Sequence, residues 1–130
     1  MARQEQVYNK RELEKGFGFA QAIKAGNTLY ISGCVSWDAD GNVIGEGDMK
    51  TQVVQVYTDI KETLAVHGAT FEHVVKENVF TTDMEALEAN NDERLKFFEG
   101  VAAPASTWIG CACLAAPGLL VEIECIAVLD

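Results

Sequence analysis

The strongest structural signal in this sequence is one amphipathic helix. Between Asp48 and Gly68, apolar residues recur at spacings of three and four, the period of a helix that buries one face. Asp48 is a suitable N-cap, and Gly68 is typical of a helix end. The predicted buried face consists of Val53, Val56, Tyr57, Ile60 and Leu64. Such a helix needs an apolar partner surface, which the rest of the chain must supply.

Short apolar runs on both sides of the helix predict the strands of a sheet. Two runs within residues 19–36 flank Gly26-Asn27, a pair suited to a tight turn, and predict a hairpin. Val43-Ile44 leaves room only for a short third strand. Residues 73–82 are rich in Val and Phe and predict a fourth strand.

The remainder of the chain predicts a second helix and a second hairpin. Asp83 is the N-cap of this helix, which ends near Gly100. Two apolar runs, 105–114 and 119–129, flank Ala-Ala-Pro-Gly and predict the hairpin. The order βββαβαββ predicts an α+β fold, a mixed six-stranded sheet with two helices on one face. Because the last strand is apolar on both faces, the uncovered face predicts an oligomer.

Length and composition indicate one globular domain over residues 1–130. The chain is 48% hydrophobic and 23% charged, a mixture that argues against disorder. Residues 1–17 are polar without a sustained period, so we expect a loosely held N-terminal arm, with the functional residues after it. Because neither a signal-peptide core nor a membrane-spanning run is evident, we expect a cytoplasmic protein.

Charge and cysteine spacing exclude several function classes. Ten basic against 20 acidic residues give a net charge of −10, which repels nucleic acid and anionic membranes. The four cysteines form no C-x-x-C pair, and buried small side chains are favoured over a zinc site. The glycines form no phosphate-binding loop. We therefore expect a small-molecule ligand, no metal and no cofactor.

Several motifs, spread over almost the whole chain, carry a family resemblance. They are Phe19-Ala-Gln-Ala-Ile23, Leu29-Tyr-Ile-Ser-Gly33, Val74-Val-Lys-Glu-Asn-Val-Phe-Thr-Thr-Asp-Met84, Asn91 with Phe97-Phe98, and Val121-Glu-Ile-Glu-Cys-Ile-Ala127. In these motifs the chain resembles the RidA/YjgF family, also labelled endoribonuclease L-PSP, whose best-known members are enamine/imine deaminases. The resemblance implies a chorismate-mutase-like subunit, assembled as a homotrimer with a central barrel and ligand clefts between subunits.

The same resemblance implies which residues line each cleft. Glu122 and Asn91 take the candidate catalytic positions. The implied substrate-binding positions are Phe19, Ser32, Gly33, Cys34, Ser106 and Thr107, and Trp37 could shape an apolar pocket with Phe19. Other roles are open: Glu122 could pair with a lysine across an interface, and Asn91 could brace the helix against the sheet.

One position departs from the deaminase pattern. The segment Pro104-Ala105-Ser106-Thr107 places Ser106 where deaminases carry arginine, or Ala105 if the alignment is made on Ser-Thr. A charged hydrogen bond of the kind that arginine makes to a substrate carboxylate is worth about 1.5–3 kcal/mol. We therefore expect a substrate that is neutral or cationic near the site rather than a simple 2-imino acid.

Three functions follow as hypotheses. The leading one is cofactor-free hydrolysis of a reactive imine or enamine in inter-subunit clefts, with Glu122 as the general acid or base. The alternative is a non-catalytic trimer that binds a small molecule or a protein in the same clefts. Ribonuclease activity, which the older family label suggests, has little electrostatic support in a chain this acidic.

Overall fold

The computed structural model of the chain describes residues 6–130 and has the predicted α+β architecture. The strands are β1 (Val7–Tyr8), β2 (Ala22–Ala25), β3 (Thr28–Val35), β4 (Val74–Thr81), β5 (Ala105–Gly110) and β6 (Val121–Val128). The helices are α1 (Glu12–Phe17), α2 (Met49–Val66), α3 (Met84–Ala89) and α4 (Asn91–Leu95), with 3-10 turns at Phe71–His73 and Lys96–Phe98. No helix in this described part is long and apolar enough to cross a membrane.

Helix α2 forms the helical layer of the core, as its spacing predicts. The Asp48 carboxylate accepts a hydrogen bond from the backbone N–H of Thr51 at 3.2 Å, so it is the N-cap. Gly68 follows the helix with a φ of 71°, a conformation that glycine adopts without strain. The apolar face packs on β3 and β6. The predicted face is fully buried: Val53, Val56, Tyr57, Ile60 and Leu64.

The sheet is mixed and six-stranded, as predicted, but its strand order corrects the second hairpin. The order is β1-β2-β3-β6-β4-β5, with β4 and β5 parallel and every other pair antiparallel. The predicted hairpin of the last two strands is therefore wrong, because β5 and β6 do not pair. Strand β6 lies at the centre of the sheet, where burying its alternate apolar residues under α2 outweighs pairing with its sequence neighbour. Strand β5 is left at the exposed edge.

The other hairpin is confirmed, whereas the short third strand is not. Strands β2 and β3 pair around Gly26, which has a φ of 60°. Val43 makes only an isolated bridge with Trp37, because two apolar residues between turns are too few for a ladder. The count of six strands is completed instead by β1.

The second helix begins at its predicted cap but does not run through to Gly100. Asp83 accepts a hydrogen bond from the backbone N–H of Ala86 at 3.1 Å. The side-chain amide of Asn90 then donates to the backbone carbonyl of Ala86 at 2.8 Å. Asparagine competes in this way with helical hydrogen bonds, so α3 ends there and α4 continues in a separate segment.

Residues 6–17 are not the loosely held arm that their polarity predicts. Strand β1 pairs with β2, and Arg11 Nη2 lies 3.2 Å from Asp59 Oδ1 on α2. Glu14, 1% exposed, accepts hydrogen bonds from two donors of the same segment. The polar side chains thus anchor the segment, because their partners are buried carboxylates. Residues 1–5 of the predicted arm lie outside the described residues.

The second face of the sheet carries no helix in residues 6–130. Tyr30 and Val128 are exposed there, beside the polar residues Lys76, Asn78 and Glu124. Asn78 donates a hydrogen bond to Glu124 at 3.0 Å. An uncovered face of this kind is the feature from which the sequence predicts an oligomer, and the homotrimer stays a prediction.

A buried ion pair ties the helical layer to the sheet. Glu77 on β4 is fully buried and accepts hydrogen bonds from the Tyr57 hydroxyl at 2.7 Å and from Arg94 Nε at 2.9 Å. The Ser106 hydroxyl on β5 donates to the same carboxylate at 2.7 Å. The free-energy cost of removing these charges from water is offset only when each charged group has its hydrogen-bond partners. The network therefore depends on all of its members.

We expect Arg94→Met to lower the free energy of unfolding by about 3–5 kcal/mol, because it leaves the Glu77 carboxylate buried without its cation. The double variant Glu77→Gln/Arg94→Met should lose less, since the neutral amide still has hydrogen-bond partners. Lys15→Met, which removes a cation from an exposed pair with Glu12, is the control and should cost less than about 1 kcal/mol. Urea unfolding measures all three, and a double variant less stable than Arg94→Met would contradict the account.

Candidate functional site

The candidate site forms where β3 and β6 pair irregularly. Their register shifts between Ile31 and Cys34, and Gly33 lies within this shift. Glu122 pairs with Val35 at the end of the β3–β6 ladder, and its side chain lies directly over Gly33. A Cβ atom added at Gly33 would be 2.8 Å from Glu122 Cδ, so a side chain there would displace the carboxylate. Glycine is therefore required for this carboxylate position.

A pocket of about 240 Å³ opens beside this carboxylate. It brings together five of the residues that the resemblance and the sequence single out. The lining residues are Phe19, Ser32, Gly33, Val35, Trp37, Ala115 and Glu122. Glu122 is the ionisable member of this set, so the pocket presents one carboxylate among apolar and backbone surfaces.

Backbone contacts hold the pocket walls in place. Phe19 donates its backbone N–H to the carbonyl of Glu14 at 2.9 Å, which fixes the aromatic residue to the end of α1. The Ser32 hydroxyl donates to the carbonyl of Ala20 at 2.6 Å, joining the β3 wall to the segment before β2. Trp37 follows β3 and is held by its bridge with Val43. The Ser32 hydroxyl is thus a structural donor here, while the lone pairs of its oxygen can still accept hydrogen bonds.

The environment of Glu122 favours its protonated form. Burial raises the pKa of this carboxyl above its ordinary value of 4.5, and the nearby charge of Glu124 raises it further. A carboxyl with a raised pKa exchanges protons closer to neutral pH, as a general acid or base must. The side chain is only half-buried, so a ligand in the pocket can reach it.

The thiol of Cys34 points into the core instead of lining the pocket. Cys34 is 2% exposed, and its sulfur accepts a hydrogen bond from Gln21 Nε2 at 3.3 Å. Burial raises the pKa of this thiol well above its ordinary value, which makes it a poor nucleophile. This placement corrects the expectation that Cys34 lines the cleft: the register shift after Ser32 turns the side chain to the helical face.

The cysteines do not gather at one place. Cys125 is also buried, whereas Cys111 is only partly buried and Cys113 is exposed in the segment after β5. The expectation of four buried thiols is therefore met by two of them. Within residues 6–130, no three His, Cys, Asp or Glu side chains are grouped so as to hold a metal ion.

Three predicted site residues lie apart from Glu122 within the single chain. Ser106 pairs with Glu77 along β4 and bonds its carboxylate, whereas Glu122 pairs with Phe80 further along the same strand. Thr107 accepts a hydrogen bond from Lys76 at 2.8 Å on the opposite face of β5. Asn91 begins α4, and its buried Oδ1 has no hydrogen-bond partner among the described residues. Their roles in a cleft stay predictions.

Sequence reasoning missed wall residues that local patterns do not mark. Ala115 lies in the turn before β6, and Val35 ends β3, so neither carries a chemical signal. Leu13 and Phe17 line an adjoining pocket. Their spacing of four residues is the one available signal, since it places both on the same face of a helix. The polarity around them suggested an arm instead.

Comparisons with known proteins place this chain in a family. The model of the endoribonuclease L-PSP family matches residues 10–129. A RutC family protein of Synechocystis sp. is 36% identical over 112 residues, which cover 85% of each chain. The 2-iminobutanoate/2-iminopropanoate deaminase of Dermatophagoides farinae is 32% identical over 112 residues, 86% of each chain.

A solved structure supports the same assignment. YyfA of Yersinia pestis, described as a protein of unknown function of the conserved Rid protein family, superposes with a TM-score of 0.80 at 32% identity. The match covers 86% of this chain and 88% of that one. Fold and pocket thus define an α+β domain with a pocket that contains one carboxylate, beside an irregular strand pair. The chain belongs to the endoribonuclease L-PSP family, and the RidA/YjgF resemblance drawn from its motifs is confirmed.

We expect Glu122→Gln to change how stability depends on pH. Because the folded-state pKa of Glu122 is raised, the native protein binds more protons than the unfolded chain above pH 4.5. This carboxyl therefore lowers the free energy of unfolding as pH rises from that value through the folded pKa. The glutamine variant lacks this loss, so its stability relative to the native protein should increase over that window.

Urea unfolding at one fixed protein concentration, from pH 4.5 to neutral pH, measures this difference. We expect at most about 1 kcal/mol, because half of the carboxyl remains in water. A difference that stays constant with pH, or that shrinks as pH rises, would contradict a raised pKa.

Proposed function

We propose that the pocket beside Glu122 hydrolyses a reactive imine or enamine to a carbonyl compound and ammonia, without a cofactor. The observation that carries this proposal is the half-buried Glu122 carboxyl, held over Gly33 with a raised pKa in a small, largely apolar pocket. The named imine deaminase among its relatives supports the same class of reaction.

The reaction needs few groups because an iminium carbon is already electrophilic. The Glu122 carboxylate takes a proton from water as its oxygen bonds to the imine carbon, giving a carbinolamine. Glu122 then returns the proton to nitrogen. As the C–N bond breaks, the Glu122 carboxylate takes the hydroxyl proton of the carbinolamine and passes it to the departing ammonia, so the carbonyl product and an ammonium ion leave. An enamine enters the same route after protonation at carbon. Each proton that the carboxylate removes is given back, so the enzyme returns to its starting state.

The charges around the pocket support a substrate without a carboxylate next to the imine. Glu122 is the ionisable group of the lining, and Glu124 adds a second negative charge nearby. The guanidinium of Arg94 lies close to Ser106, but it is paired with the buried Glu77. A simple 2-imino acid would bring its carboxylate beside Glu122, in a lining that contains no cation; Lys76 donates to Thr107 on the β5 edge and does not line this pocket. The proposed substrate is therefore neutral or cationic at this point.

We place the reaction in a cleft completed by a second subunit of a homotrimer. The exposed strand β5 carries Ser106 and Thr107 at one edge of the sheet, apart from the Glu122 pocket. In this proposal a neighbouring copy brings its β5 edge to the pocket, and the open sheet faces form the central barrel. Such an arrangement would cover both surfaces that the single chain leaves exposed.

We expect Glu122→Gln to reduce kcat/KM for an uncharged N–H ketimine by at least about 100-fold, because the variant has no carboxylate to move the proton. Glu124→Gln is the matched control on the same strand and face. It should keep its turnover, and the acidic limb of its pH profile should move to lower pH, because one charge that raises the Glu122 pKa is gone. Full activity of Glu122→Gln would reject the proposed role.

A second candidate is a non-catalytic trimer that binds a small molecule or a protein in the same clefts. The observation favouring it is the Ser106 hydroxyl, which donates to Glu77 inside the chain and supplies no charge to a cleft. The same assay separates the two candidates. A native protein that leaves every imine at its spontaneous rate of hydrolysis would support the binding function.

A further inference from the structure

A second, larger pocket adjoins the Glu122 pocket. This second pocket has a volume of about 390 Å³ and shares Phe19, Trp37 and Ala115 with the first. A ligand whose reacting carbon lies beside Glu122 can therefore extend past Phe19 without leaving the protein surface. Together the two spaces fall in the size range of small-molecule sites.

Helix α1 builds the outer wall of the second pocket. Leu13 and Phe17 are four residues apart, so they lie on the same side of the helix, and both line the second pocket. The helix is fixed by the buried carboxylate of Glu14 and by the pairing of Arg11 with Asp59 on α2. The wall is thus attached to the core at two points, which makes it a preformed surface.

Two aromatic side chains form a flat apolar surface in this pocket. The rings of Phe17 and Trp37 are stacked, with centroids 6.2 Å apart and planes at 14°. Phe17 is 73% exposed, so a large part of its ring is available to a further planar group. Flat apolar groups gain both buried area and ring stacking on such a surface.

The charge of the lining argues against an anionic occupant. Among the described residues, Asp40 is the ionisable side chain that lines the second pocket, and Glu122 is the ionisable side chain that lines the first. A carboxylate or phosphate would meet these negative groups with no cation in either lining. An uncharged aromatic group meets apolar walls instead.

We infer that the pocket lined by Phe17 and Trp37 is a subsite for an uncharged aryl substituent of the ligand. This inference rests on the proposed function for the position of the imine carbon beside Glu122. It assigns the substrate class as aryl imines or enamines, in which the aromatic ring occupies the second pocket. Helix α1 is then the element that sets specificity.

The test uses the full chain and a pair of ligands that differ in the aryl group. Acetophenone and acetone are titrated by NMR, and the N–H imines of the same two ketones are generated in the cuvette for kcat/KM. We expect the aryl member to be preferred at least about tenfold in both measurements. Phe17→Ala should reduce this preference about fivefold. Val66→Ala, another exposed apolar residue at the end of α2, should leave it unchanged.

The outcomes separate the subsite from the reaction. If acetophenone is preferred and Phe17→Ala weakens its binding while neither imine is hydrolysed, the subsite stands and the proposed hydrolysis fails. If both imines are hydrolysed and Phe17→Ala leaves the aryl preference unchanged, the hydrolysis stands and the subsite is overturned. Equal affinity of the native protein for the two ketones also overturns the subsite.

Discussion

The candidate site depends on the close approach of the Glu122 side chain to the backbone of Gly33. This approach requires three features together: a glycine without Cβ, a register shift in β3, and β6 as the neighbouring strand. Each feature has a structural cost, since the shift interrupts the ladder and glycine weakens a strand interior. The core under α2 supplies the stability that makes such a defect tolerable. The result is a carboxyl near the end of the central strand, close to an apolar wall and open to a ligand.

Two carboxylates on neighbouring strands lie in different environments, which suit one to a structural role and the other to proton transfer. Glu77 faces the helical layer, where Tyr57, Arg94 and Ser106 all donate to it. Glu122 faces the other side of the sheet, and burial together with a second carboxylate raises its pKa. A fully partnered carboxylate has no capacity left for a ligand, whereas one beside a pocket can exchange protons. The same residue type therefore braces the fold at one position and is the candidate acid–base group at the other.

Caps, turn residues and apolar spacing predict those helices and hairpins whose ends are fixed by residues close in sequence. The Asp48 cap, the helical spacing and Gly68 defined α2, and the Gly26 turn defined the first hairpin. The partner of β6 could not be read in this way, because strand pairing is decided by which strand buries its alternate residues under α2. The anchoring of the segment before Gly18 is not visible in the sequence for a related reason. Its polar residues are anchored by Asp59, which is distant in sequence.

The site was predictable to the extent that family motifs cover it. Phe19, Ser32, Gly33, Trp37 and Glu122 were named from the sequence and line one pocket. Cys34 was misplaced because a register shift reverses which face a side chain occupies, and a strand pattern does not reveal the shift. The α1 wall was missed because an exposed aromatic residue such as Phe17 in a polar segment resembles a surface residue until its stacking with Trp37 is seen.

One comparison of two titrations on the native protein tests the central claim most directly. The pKa of the Glu122 carboxyl is measured by carbon-13 NMR, and the acidic limb of kcat/KM for an uncharged ketimine is measured on the same preparation. We predict that the NMR midpoint lies above the ordinary value of 4.5 and coincides with the kinetic limb. A midpoint at or below that value, or a kinetic limb that does not follow it, would contradict the assignment of Glu122 as the acid–base group.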